Sequence, residues 1–150
     1  MTTINAVIDE IIPYGLQPNL AWPDKEKKLE HSLVKLYSIF FDVAYAPDEK
    51  EYPDFDRSGL PDIRSNITAN FPGFGLYKTI LDIHDLASQQ DMATGDAVDD
   101  LHDIIADLLE VKWRMAHNSE DDGCWYFEFI FQHHTRQHVI NLLNYLNQRE

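Results

Sequence analysis

Trp125-Tyr126-Phe127-Glu128-Phe129-Ile130-Phe131 is the segment on which the choice between helix and strand turns. Wound at about 100° per residue, this block is apolar all round, as a central helix buried on more than one side would be. A strand would accept the same seven residues taken alone. The register downstream decides against it, because Val139, Leu142, Leu143 and Leu146 continue at helical spacing with no turn signal between. The spacing therefore predicts one last helix from Trp125 to Asn147.

Upstream, the linker His117-Asn118-Ser119-Glu120-Asp121-Asp122-Gly123 breaks the pattern. Before it, Thr94-Gly95-Asp96 is read as the start of a helix of about twenty residues, with Val98, Leu101, Ile105, Leu108, Lys112 and Met115 on one stripe. Acids in its first turns suit the positive end of the helix dipole. Two long helices joined by a short linker form an antiparallel hairpin, so the expected fold is an all-α helical bundle closed by a C-terminal helical hairpin.

The first half is read the same way. Ile4, Val7, Ile8, Ile11 and Ile12 follow the cap Thr3, and Pro13 with Gly15 stops that helix. Leu29, Leu33, Leu36, Phe40 and Val43 make a second amphipathic stripe that ends before Pro47. Residues 46–61 are rich in Pro, Asp, Glu and Tyr and read as a solvated loop. Pro61 is placed to open a short helix through Ile63 and Ile67. From Leu76 to Leu86 the chain is apolar but short, and helix and strand both stay open.

At 150 residues the chain suits a single helical domain, 1–150. Twelve Lys plus Arg against 26 Asp plus Glu leave a net charge of −14, which argues against nucleic acid and against an anionic membrane surface as partners. No basic patch offsets it. The N-terminus lacks a cationic lead, Asp9 and Glu10 interrupt any leader-like run, and Cys124 is the only cysteine. A cytoplasmic address is the expectation, and a thiolate-rich zinc site is excluded.

Two constellations could carry chemistry. Asp96, Asp99, Asp100, Asp103, Asp107 and Glu110 occupy one arc, roughly 100° wide, on the helix before the linker, and its default reading is a solvated face opposite the core stripe. His134 and His138 lie four residues apart and point the same way about one turn apart, the spacing that lets two imidazoles reach one metal. They share a face with Phe127, Phe131 and Tyr145, where an imidazole is more often a hydrogen-bonded core residue. At about 1.5 Å per residue, Asp103 stands level with His134, and Asp100 with His138, some 18–20 Å from the hairpin turn. Buried imidazoles need partners, and Asp100, Asp103 and Tyr77 are the candidates. His133 points elsewhere, Trp113 and Trp125 read as packing anchors near the turn, and Cys124 lacks the cationic neighbours of a nucleophile.

The run Asp99-Asp100-Leu101-His102-Asp103-Ile104-Ile105-Ala106-Asp107-Leu108, followed by Trp125, Phe131, His134 and His138, resembles domain-of-unknown-function family 5063, an uncharacterised bacterial family. The likeness covers residues 97–146, with a looser echo around Tyr77. Phe127 stands where that family has a second Trp, Glu128 where Arg is usual, and Thr135-Arg136 where a Trp-Gly pair is usual. The family has no assigned activity, so the resemblance names no reaction. It links the aspartate run to the histidine pair.

Two functions follow from these readings. An interaction or regulatory module comes first, with another protein as its partner and no cofactor expected. The alternative is a metal-binding protein or metal-dependent hydrolase that holds a divalent ion through His134 and His138 with Asp100 and Asp103. Asp99, Asp107, Tyr77, Trp125 and Phe131 are the additional candidates at that site.

Overall fold

A computed structural model describes residues 3–89 and 92–149 of the chain. Helix α1 (Ile4–Ile11) begins where the Thr3 hydroxyl accepts the Ala6 amide at 3.2 Å, and it buries Val7, Ile8 and Ile11. Pro13 then opens a further turn, α2 (Pro13–Leu16), because a proline at the first helical position has no amide to leave unpaired. Helix α3 (Lys25–Phe40) buries Leu29, Leu33 and Leu36, and α4 (Ile63–Asn70) buries Ile63 and Ile67.

Helix α5 (Ala97–His117) is the centre of the molecule. It packs against α6 (Glu120–Ile130) and α7 (Arg136–Asn147) on one side, and against α1 and α4 on the other. Ser119 caps α6 by accepting the Asp122 amide at 3.0 Å. Side-chain pairs run in opposite senses along the two arms, Asp107 with His134 and Asp100 with His138, so the arms are antiparallel. The aromatic block supplies Phe127 and Phe131 to the core, where Phe131 meets Tyr37 and Phe40.

The structure is mostly helical but not all-α. Strand β1 (Leu76–Ile80) pairs antiparallel with β2 (Met92–Asp96), with Leu76 opposite Asp96 and Ile80 opposite Met92. Exposure alternates along β1, so Tyr77 and Thr79 face inward while Leu76, Lys78 and Ile80 face out. Gly95 stands opposite Tyr77, and a side chain there would collide with the Tyr77 ring. Thr94 and Gly95 thus belong to a strand, and the helix starts only at Ala97, where the Asp96 carboxylate accepts the Val98 amide at 2.9 Å.

Two further expectations change. Asp62 rather than Pro61 opens α4, by accepting the Ser65 amide. The last helix is not continuous, because a π-helical turn, Phe131–Thr135, separates α6 from α7. The 46–61 segment is a mostly exposed loop with no buried residue, as its composition indicates, but it is tied to the helices beside it. It is a strap laid along the α5–α6 hairpin, with Phe55 against Trp113, the Ala46 amide on Asp121, and Arg57 in a short 3-10 turn (Arg57–Gly59) reaching Asp107 and Glu110.

Nor is the acidic arc simply solvated. Asp100, Asp107 and Glu110 are buried, while Asp99 is exposed and pairs with Arg64 beside Asp96. The reason is that α5 has two packed sides, so part of its polar face lies beneath α6, α7 and the strap. Each buried acid is matched there, and no buried side-chain nitrogen or oxygen among the described residues lacks a hydrogen-bond partner. No helix of the described residues is long and apolar enough to cross a membrane.

Candidate metal centre

The histidines come from the π-helical turn and the first turn of α7, and the acids from the first half of α5. His134 donates from Nδ1 to Asp107 Oδ2 at 2.7 Å. His138 donates from Nδ1 to Asp100 Oδ1 at 2.8 Å. Because a carboxylate only accepts, these bonds place a proton on both Nδ1 atoms and turn both Nε2 atoms toward each other, 3.3 Å apart.

Asp103 completes the group. Its Oδ2 lies 3.3 Å from His138 Nε2 and 3.9 Å from His134 Nε2, while its Oδ1 lies 3.1 Å from Nδ1 of His102. Two ligands on one tetrahedral ion with bonds of about 2.0–2.1 Å stand about 3.3 Å apart, which is the separation of the two Nε2 atoms. Asp103, His134 and His138 are the one group of His, Cys, Asp and Glu donors among the described residues close enough to share an ion.

Each donor has a supporting partner, the feature that separates metal-ligating histidines from a chance pair. Asp107 is 1% exposed and takes three donors: His134, the Thr135 hydroxyl at 2.7 Å and Arg57 at 3.0 Å. Asp100 is nearly as buried and also accepts the Tyr77 hydroxyl. Burial and the hydrogen bond to Asp100 push the Tyr77 phenol up, so it stays a donor at neutral pH. The outer faces are open, with the side chains of His134, His138 and Asp103 exposed by 41%, 24% and 37%.

Electrostatics favour a cation at this point. Three carboxylates, Asp100, Asp103 and Asp107, surround the pair, and among the described residues only Asp107 has a permanent cation beside it, Arg57. Without an ion the facing Nε2 lone pairs repel, and a proton between them is the remedy. The hydrogen bond to Asp100 raises the His138 pKa above the ordinary imidazole value, assisted by the Asp103 charge and opposed by burial.

Other sequence candidates fall elsewhere. Phe131 is core, without a polar role, and Trp125 is half-exposed and stacked on Phe129. Asp99 faces Arg64. Asp107, not Asp103, is the direct partner of His134, whose ring is carried by the π-helical turn. His133 is exposed, as read, and burial pushes the Cys124 thiol up, with Glu120 and Asp121 adding to the shift.

Sequence reasoning missed Arg57, Thr135 and His102. A lone arginine amid the acids and prolines of the strap was the one available signal for the first. Thr135 and His102 carried none, since their partners are set by the hairpin register and the π turn.

No family model, curated protein or solved structure matches the chain. The likeness to domain-of-unknown-function family 5063 rests on the quoted residues.

Proposed function

We propose that the protein binds one divalent transition metal through Nε2 of His134, Nε2 of His138 and Oδ2 of Asp103. The observation that carries this reading is the pair of Nε2 atoms held 3.3 Å apart by two separate buried aspartates, each bonded to the opposite ring nitrogen. A structural role for the histidines would need only one such bond each and no convergence of the free nitrogens. Nitrogen and oxygen donors without thiolate suit zinc, iron(II) or manganese(II). Three protein donors leave a position for water, the arrangement by which such centres lower the pKa of water and hydrolyse substrates.

Metal analysis of the protein purified without a histidine tag tests the proposal. One equivalent of metal is expected in the wild type and none in His138→Ala, with folding unchanged by circular dichroism. A wild-type protein that takes up no zinc, iron(II) or manganese(II) at micromolar concentration ends the proposal.

The interaction-module reading is favoured by a separate observation. Leu76, Ile80, Leu81, Ile83, Leu86 and Met92, on the β1–β2 arm, are each more than half exposed. Apolar surface of that kind is what a protein partner covers, and at −14 the complementary partner is one with a basic rim. The reading expects a monomer whose binding of an apolar dye is lost in Leu81→Ser with Leu86→Ser. Dye binding unchanged by these substitutions defeats it, and a stable dimer assigns the face to a second copy instead.

A further inference from the structure

The strap and the α5–α6 turn enclose a cleft of about 520 Å³ that the metal centre does not use. Its walls carry three aromatic rings, Tyr45, Tyr52 and Trp125, and three carboxylates, Asp48, Asp54 and Asp122. We propose that this cleft binds an alkylammonium cation, with the three rings around the cation and Asp54 as its counter-charge.

The rings are anchored at their polar ends. The Tyr45 hydroxyl donates to Glu128 at 3.2 Å and the Tyr52 hydroxyl to Asp48 at 2.5 Å. Neither ring stacks on another aromatic side chain or meets an arginine or lysine over its face among the described residues. Trp125 covers one face on Phe129 and leaves the rest of its indole half-exposed. An aromatic face is the negative part of the ring quadrupole and attracts a cation without taking its proton, a preference strongest for Trp.

The charges separate the ligand classes. Arg114, on the same wall, is committed to Glu110 at 3.0 Å and Asp122 at 3.1 Å, with its guanidinium over Tyr126. Asp48 is bonded by Tyr52, Ser119 and the Lys50 amide. Asp54 alone of the three acids has no hydrogen-bond or ion-pair partner among the described residues, so its charge is available. Lys50 forms no salt bridge among the described residues, although its charge reaches Asp48 and helps to hold that carboxyl down, and it opposes the ligand at that side. The neighbouring Asp121 and Glu128 and the total of −14 make the local field negative. An anionic ligand is disfavoured by that field. A metal is disfavoured because Asp48, Asp54 and Asp122 do not bring donor atoms together at one point, whereas Asp103, His134 and His138 do. A soft, weakly hydrated organic cation satisfies both the rings and the carboxylate.

Calorimetric titration with choline and with its neutral isostere, in which carbon replaces the quaternary nitrogen, tests the proposal. Saturable choline binding is expected, about ten-fold tighter than that of the isostere. Trp125→Ala and Asp54→Asn should each weaken it several-fold, Trp125→Phe should retain most of it, and Lys50→Gln should tighten it. Both Trp125 and Asp54 lie at the surface, so an unchanged melting temperature is the accompanying control. A peptide carrying trimethyl-lysine, run beside choline, distinguishes the sources: tighter binding of the peptide assigns the cation to a protein side chain, weaker binding to a free small molecule. Absence of saturable choline binding, equal binding of the isostere, or choline binding indifferent to Trp125→Ala overturns the proposal. None of these outcomes depends on the metal centre.

Discussion

His134 and His138 bring their Nε2 atoms to within 3.3 Å while their Nδ1 atoms sit on different aspartates of α5, Asp107 and Asp100, two turns apart. Two imidazoles converge while their supports diverge, and this divergence fixes both rings independently. A cation placed between them would meet ligands that need no reorganisation.

The first consequence concerns stability on metal addition. A ligand that binds only the folded state stabilises it by about 2.7 kcal/mol at one hundred times its dissociation constant, which in a domain of this size raises the melting temperature by roughly 5–10 °C. Differential scanning calorimetry with zinc should show that rise in the wild type and none in His134→Ala or His138→Ala. A wild-type melting temperature indifferent to zinc, iron(II) and manganese(II) contradicts the centre.

Removing a support without removing a ligand should weaken the metal and spare the donors. Asp100→Asn keeps the shape of the side chain but exchanges the charge that orients His138, and a loss of about ten- to one-hundred-fold in metal affinity is expected. Competition with a chromogenic chelator measures it. Affinity equal to that of the wild type would mean that Asp100 is only a structural partner.

Asp107 should matter more to the fold than to the metal. Its carboxylate takes Arg57, Thr135 and His134 at 1% exposure, so Asp107→Ala leaves three donors without their acceptor at a cost of about 3 kcal/mol. Thr135→Val removes one of those bonds at nearly constant shape and should cost about 1 kcal/mol. Urea denaturation reads both, and a Thr135→Val loss as large as that of Asp107→Ala would show that the π turn, not the carboxylate, is the fragile element.

The strap should be held chiefly by Arg57. Its guanidinium is partly exposed, so solvent screens its bonds to Asp107 and Glu110, and Arg57→Ala is expected to cost about 1–2 kcal/mol. Limited proteolysis should then cut within residues 46–61 faster than in the wild type. Equal protection of the strap would assign its anchoring to Phe55 against Trp113 instead.

Gly95 tests the coupling of the small sheet to the centre. A Cβ there would overlap the Tyr77 ring, so Gly95→Ala should displace the hydroxyl from Asp100 and cost about 1–3 kcal/mol. Tyr77→Phe, which deletes only the hydroxyl, should lower stability by about 1 kcal/mol and leave β1 and β2 paired. If Gly95→Ala is neutral in stability and in metal affinity, Tyr77 has room to move and does not position His138.

Helical periodicity made most of the architecture legible. The stripes of α1, α3 and α5, the cap at Thr3 and the helical nature of the aromatic block follow from spacing alone, because a period near 3.6 must bury one face whatever the neighbours are. The β1–β2 arm was not legible in that way. Five-residue strands give too short a window, and Gly95 takes its place opposite Tyr77 only once the two segments are paired. The break in the last helix was hidden for a related reason: nothing in Phe131-Gln132-His133-His134-Thr135 interrupts helix propensity, and the π turn closes where Thr135 finds a partner on another helix.

The site divides along the same line. Helix geometry and linker length make three features legible in the residues: two imidazoles four apart share a face, aspartates recur one turn apart on the preceding helix, and a hairpin brings the two sets to within about a turn of one another. Packing between distant segments sets which acid meets which ring, which carboxylates are buried, and that Arg57 and Tyr77 approach from the strap and the sheet. Those choices depend on how α5 is enclosed on two sides, and burial on a second side is set by segments far away in sequence, beyond the reach of any local pattern.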